Sequence, residues 1–427
     1  MEWPNASRRF KLTIDRKKIQ MLMAIVIIPR TFTKPFYLYG MRYVFVILFL
    51  SAFSASGQAL RDINYNFLYN PIEPFTFQVH VVRSAETLTV FFNLTLRDTL
   101  QRPEEFLIQW DIRKDLGDKE GTPLTAGSVS KSTTLKTMEG TISIPLSSER
   151  QYLTAKVLNN TVKRAWIFYN TLEPNLIVNG YLKAESTAVI QPFIKTNTPV
   201  TIASNGDQKI VSYYNDDFPA AVPGFSEGLA RVPRSMIVDS TFKYPTNQPI
   251  TFSDRGLYLI QQDTNSTEGF AFRAEEDYPR LAKVESLADP LIYICTKQEF
   301  ERVKQAKGDK KAFDRVILSI TGNTERARNF MRSYFRRVEL ANQFFTSYKE
   351  GWKTDRGMIY IVFGLPDQVY RFADREVWTY KNSTYKITFD FVKSSTLFDP
   401  ENFVLVRERK FQETWYEVID LWRNARF

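Results

Sequence analysis

Apolar and polar residues alternate one by one through the first half of this chain, then switch to spacings of three and four near its end. Period-two alternation is the pattern of a half-buried strand, and the wider spacing is that of an amphipathic helix. From about Leu60 to Glu173 the alternation predicts strands over Phe75–Val81, Leu88–Leu96, Phe106–Ile112, Thr141–Ile144, Tyr152–Leu158 and Ala165–Tyr169, with Gly117, Gly121-Thr122-Pro123 and Asn159-Asn160 as turns. Short strands at this spacing suit an immunoglobulin-like sandwich. A second β-rich region, 174–278, offers Thr198–Ala203, Lys209–Tyr214, Ser235–Tyr244 and Gly256–Gln262. Asn205-Gly206-Asp207 predicts a hairpin between the first two, because Asn-Gly tolerates positive φ. The Pro- and Gly-bearing stretch Phe218–Pro233 predicts a loop projecting from the sheet.

Around Pro279 the period changes. Glu299–Lys307 and Lys310–Ile320 have helical composition, and a long helix opens at Thr324, its expected N-cap. Ala327, Phe330, Met331, Tyr334, Phe335, Val338, Ala341, Phe344, Phe345 and Tyr348 give it one wide apolar face, and Gly351 is expected to stop it. Strands then follow over Met358–Phe363, Gln368–Phe372, Val377–Tyr380, Tyr385–Val392 and Phe403–Val406, with a last helix over Trp415–Arg423. The expected fold is therefore multidomain: two β-sandwich (Ig-like) regions, 60–173 and 174–278, followed by a C-terminal α+β domain, 279–427.

Charge changes the picture only through its location. The formal charge is +10, but residues 1–59 carry nine Lys/Arg against Glu2 and Asp15, so the remaining chain holds +3. A body so nearly balanced has no electrostatic footprint for nucleic acid. With one cysteine, Cys295, no intrachain disulfide can form; with one histidine, His80, the usual Cys/His zinc sites are excluded. Both read as buried structural residues, and neither a metal nor a cofactor is expected.

Met41-Arg42-Tyr43 opens a basic start, Val44–Phe53 is apolar, and Ser54, Ala55, Ser56 and Gly57 are small. That order describes a secretory signal peptide, with cleavage after Gly57 or Ala59. Met41 is the expected true start, with an uncleaved anchor from Met21 as the alternative, and residues 1–59 are extension and leader. The apolar run is too short to span a bilayer, so the mature chain is expected to carry no transmembrane span.

The densest chemistry lies in Gly351-Trp352-Lys353-Thr354-Asp355, followed by Arg356-Gly357 and the turn Gly364-Leu365-Pro366-Asp367. Trp352 is expected to lie over the sheet, Asp355 and Thr354 to cap a turn into a strand, and Gly357 to permit its tight start. Arg356 is expected to pair with Asp355 or a neighbouring carboxylate. The run resembles the signature of the GWxTD family of exported bacterial proteins, found largely in Bacteroidota. Val377-Trp378-Thr379-Tyr380, after the Gly-x-Pro turn, is similar to small lipoproteins of the outer-membrane β-barrel assembly machinery. These resemblances imply an exported protein, periplasmic, outer-membrane associated or secreted, without a settled biochemical role.

The favoured reading is a non-catalytic cell-envelope scaffold or binding protein whose GWxTD domain contacts an envelope protein. Its signature residues, structural or binding, are Gly351, Trp352, Thr354, Asp355, Arg356, Gly357, Gly364, Pro366, Asp367 and Trp378, with no catalytic residue assigned. One alternative is a glycan hydrolase with acids drawn from Asp355, Asp367, Asp374, Glu376 and Asp390. The other is a secreted glycan-binding module, which needs exposed aromatic rings.

Overall fold

The computed structural model describes residues 57–98, 100–125, 129–215, 217–226, 232–382 and 385–426. Met41 and residues 1–56 of the leader lie outside the described residues. The first region is a sandwich of two four-stranded antiparallel sheets. One sheet, in the order β1-β2-β6-β5, contains β1 (Phe75–Ser84), β2 (Thr87–Leu96), β5 (Val129–Thr133) and β6 (Thr137–Pro145). The other, β4-β3-β7-β8, contains β3 (Phe106–Arg113), β4 (Thr122–Pro123), β7 (Gln151–Asn159) and β8 (Arg164–Leu172). The strict alternation in β2 buries Leu88, Val90, Phe92, Leu94 and Leu96 on one face. Phe92 meets Trp110 of the opposite sheet at 5.1 Å between ring centroids.

The second region is also a sandwich. Its four-stranded sheet runs β10-β9-β12-β15, with β9 (Gly180–Ala184), β10 (Thr187–Ala188), β12 (Val200–Ser204) and β15 (Pro249–Ile250). Its five-stranded sheet runs β11-β17-β16-β13-β14, with β11 (Phe193–Lys195), β13 (Gln208–Tyr214), β14 (Ser240–Pro245), β16 (Gly256–Gln261) and β17 (Gly269–Glu275). Gly206 does adopt positive φ, +88°, but the expected hairpin does not form. β12 pairs with β9 and β15, and β13 with β14 and β16, so the Asn-Gly turn carries the chain from one sheet to the other. The turn's carbonyls are taken from elsewhere: Thr246 donates to Asp207 O from its N–H at 2.9 Å and to Gly206 O from its hydroxyl at 2.6 Å.

The C-terminal domain packs helices on a four-stranded antiparallel meander of β18 (Gln368–Arg371), β19 (Arg375–Lys381), β20 (Lys386–Lys393) and β21 (Phe403–Leu405). Its helices are α1 (Val284–Leu287), α2 (Lys297–Gln305), α3 (Lys310–Thr321), α4 (Thr324–Phe345), α5 (Asp355–Phe363) and α6 (Gln412–Arg423). The α4 cap is Asn323, one residue before the expected Thr324; its side chain accepts from Arg326 N–H at 2.9 Å. The helix ends at Phe345, and Gly351 instead opens a 3₁₀ turn, Gly351–Lys353.

Met358–Phe363 is a helix, not the expected strand. Gly357 to Phe363 are all buried, so α5 is apolar on every side and shows no amphipathic period. A short continuous apolar run reads the same whether it is a buried strand or a buried helix.

Residues ahead of β1 are stitched to the far end of the chain. Tyr65 N–H donates to Val369 O at 2.8 Å, and Asn64 Oδ1 accepts from Val369 N–H at 2.9 Å. Leu60, Ile63, Tyr65 and Tyr69 join the C-terminal core. Among the described residues no helix is long and apolar enough to cross a membrane.

Candidate functional site

The signature forms a corner in which α4 is left and α5 begins. Its 3₁₀ turn lies backbone-to-backbone on α4: a Cβ on Gly351 would stand 2.1 Å from Ala341 O, and one on Gly357 1.9 Å from Gly351 O. Both glycines are required by close approach. Thr354 is the N-cap of α5, accepting from Gly357 N–H at 3.0 Å while its hydroxyl donates to Gly351 O at 2.7 Å. Asp355 follows as the first helical residue, where a carboxylate is favoured by the helix dipole. A Thr-Asp pair ahead of an apolar run is a helix-start signal, so the helical reading of α5 was available in the sequence.

Trp352 is buried; its N–H donates to Asn342 Oδ1 at 3.0 Å and its carbonyl accepts from Tyr293 Oη at 2.8 Å. Asp355 does not pair with Arg356. It receives Leu405 N–H at 2.8 Å and two Arg407 N–H groups at 2.6 and 3.2 Å, with the Arg407 side chain only 2% exposed. Arg356 faces Glu376 at 3.4 Å and lies over the Phe403 ring at 4.4 Å. Trp378, fully buried, donates its indole N–H to Glu376 Oε1 at 2.6 Å, and Tyr69 Oη donates to the same oxygen at 2.6 Å. Gly364, at φ +87°, ends α5, and its carbonyl accepts from Tyr380 Oη at 2.9 Å. Pro366 is buried beside it. Asp367 is exposed; its carboxylate receives Lys381 N–H at 2.6 Å, and its carbonyl receives Asn64 and Asn66 amides at 3.0 and 3.1 Å. Of the acids weighed for hydrolysis, Asp355, Asp367 and Glu376 thus have internal partners.

An ion-pair network that spacing did not reveal joins this corner to the second sandwich. Glu350 receives Arg255 at 2.6 Å, with Lys353 at 3.1 Å and Arg273 at 3.8 Å; Arg273 also pairs Glu275 at 2.6 Å. Burial alone would raise the Glu350 carboxyl, but Arg273, Lys353 and Arg255 outweigh it and hold it at about 2. Lys353 also pairs Asp217. The expected projecting loop is, over 218–226, folded onto the C-terminal domain. Phe218 is buried, Ala221 N–H donates to Lys353 O at 2.9 Å, and Gly224 sits against Leu405 and Phe411. Its apolar residues find a covered surface there, which a polar loop would not need.

Where the two sandwiches and the C-terminal domain meet there is a cavity of about 430 Å³. His80 of β1, Arg356, Arg371 and Asp399 line it. Burial lowers His80 to about 4, so the ring is neutral at pH 7, and burial raises the Asp399 carboxyl to about 7. Because Asp399 holds its proton more tightly folded than unfolded, its contribution to stability is full below the ordinary carboxyl value and lost as pH rises through about 7. Asp399→Asn should therefore raise the melting temperature more at pH 8 than at pH 5, as calorimetry at the two values will show. An equal shift at both would contradict the burial effect. Cys295 is half-buried, and burial raises its thiol to about 12, which removes it as a nucleophile at neutral pH.

Residues 256–424 match the family model of the GWxTD domain, so this part of the chain is a GWxTD domain. The match begins at the first residue of β16, so two strands of the second sandwich fall within it. Among solved structures, the titin Ig tandem domains A164-A165 share 9% identity, covering 47% of this chain and 97% of that one, at a TM-score of 0.15. No curated protein matches the chain.

Proposed function

We propose that the protein is an exported, non-catalytic cell-envelope component that presents its GWxTD domain to another envelope protein. The observation that carries this reading is the inward use of the signature. Trp352, Thr354, Asp355 and Trp378 are buried and bonded to neighbours, and the corner is tied to the second sandwich through Glu350. Such a corner supplies rigidity and shape, not a reactive group. The leader read from the sequence supports export. Cleavage after Gly57 is supported over Ala59 because it keeps Gln58, whose carbonyl accepts from Arg113 at 2.9 Å, and the buried Ala59.

A photo-crosslinking amino acid at Tyr416, 53% exposed on α6, should capture an envelope protein in intact cells, whereas one at Leu107, 45% exposed on β3, should not. Equal capture at both positions, or none from envelope fractions, would remove the proposal. The glycan-binding alternative has less support: among the described residues the exposed aromatic rings are Phe242 and Tyr416, which lie on different domains and make no platform.

A further inference from the structure

The three-domain cavity borders the signature corner through Arg356 and both sandwich cores through Val79, Val81 and Phe272, and it has the dimensions of a small-molecule site. Its volume of about 430 Å³ lies in the range that encloses such ligands. Each domain contributes apolar wall: Val79 and Val81 from β1, Tyr181 and Phe272 from the second sandwich, Phe344 and Phe403 from the C-terminal domain.

The charges on the wall are unequally satisfied. Arg356 faces Glu376 at 3.4 Å, and Glu401 pairs with Lys393 at 2.5 Å. Arg371 has no carboxylate within 4 Å among the described residues, although Glu376, its cross-strand partner, attracts it from farther away. It donates one hydrogen bond, 3.4 Å long, to Tyr169 O, and its guanidinium lies 4.7 Å from the Tyr169 ring and 5.8 Å from that of Tyr65. Stacking between rings holds the fork in place but leaves most of its five N–H donors without an acceptor. A half-buried cation with donors to spare, in a wall that mixes apolar rings with polar groups, attracts an anion more strongly than an exposed one would. The same Arg371 lines a smaller cavity of about 220 Å³ that shares Phe344 with the larger one.

We propose that the three-domain cavity binds a small amphiphilic anion, with its carboxylate, sulfonate or phosphate head on Arg371 and its apolar body against Phe344 and Phe403. This site does not rest on the envelope role, and a protein that fails the crosslinking test can still pass this one. Because its walls come from all three domains, occupancy would couple their relative positions.

The test uses fluorescence titration of the purified protein with 8-anilinonaphthalene-1-sulfonate and with N-phenyl-1-naphthylamine, which carries the same rings without the charge. Arg371→Gln should weaken the sulfonate dye by about tenfold, the scale of one charge-assisted hydrogen bond, and leave the neutral dye unchanged. Thr171→Trp, which fills the cavity from the β8 wall, should abolish the binding of both. Unchanged binding in either variant, or equal weakening of the two dyes by Arg371→Gln, overturns the proposal. Should Arg371→Gln fail to fold, displacement of the sulfonate dye from the unaltered protein decides: displacement by decanoate but not by decanol supports the site, and equal displacement overturns it.

Discussion

Asp355→Ala should destabilise the C-terminal domain by about 3–5 kcal/mol, the cost of leaving a buried charge without its partner. The Arg407 side chain is 2% exposed and gives Asp355 two of its N–H groups, while Leu405 N–H gives a third. Removing the carboxylate leaves the guanidinium beside β21 without its counter-charge and with only the Leu405 and Val222 carbonyls as acceptors among the described residues. The same residue begins α5, so the helix start loses a favourable charge as well. Urea unfolding followed by tryptophan emission should show the midpoint falling without a change of slope. Asp355→Ala combined with Arg407→Met should recover part of the loss, because the stranded charge is gone. A single-variant loss under about 1 kcal/mol, the range of an exposed pair, would show that the Asp355–Arg407 contact is not what holds β21 to α5.

Trp352→Ala should cost about 3–5 kcal/mol, as expected for deleting a large buried ring whose cavity cannot close. Closure is hindered because the neighbouring backbone is already in contact: Gly351 lies against Ala341 O, and Trp352 N–H is held by Asn342. Tyr293, 6.3 Å away ring to ring, would lose its packing partner while keeping its bond to the Trp352 carbonyl. Trp352→Phe should lose less, since it keeps part of the volume. A Trp352→Ala protein with an unchanged melting temperature, but without the Tyr416 crosslink, would instead make the ring a contact for the partner.

The strands of both sandwiches and the long α4 were legible because each has one buried and one wet face, which prints a period into the sequence. The α5 segment was not, because burial on every side erases the period; only its Thr-Asp start distinguished it. The backbone freedom of the Asn-Gly turn is legible, but it serves a hairpin and a crossing between sheets equally well. Its place before an apolar run makes Asp355 a local cap, yet its partners, Leu405 and Arg407, come from β21 and just after it.

By itself the sequence determined the β-to-α order, the single-cysteine chemistry, the concentration of charge in the first residues, and the signature that marks the domain. All of these depend on residues close together in the chain. Only the tertiary structure decided that Tyr65 reaches Val369, that Glu350 gathers cations from the second sandwich, and that Arg371 is left facing a cavity. Those outcomes depend on which distant surfaces exclude water together, and no local pattern records that.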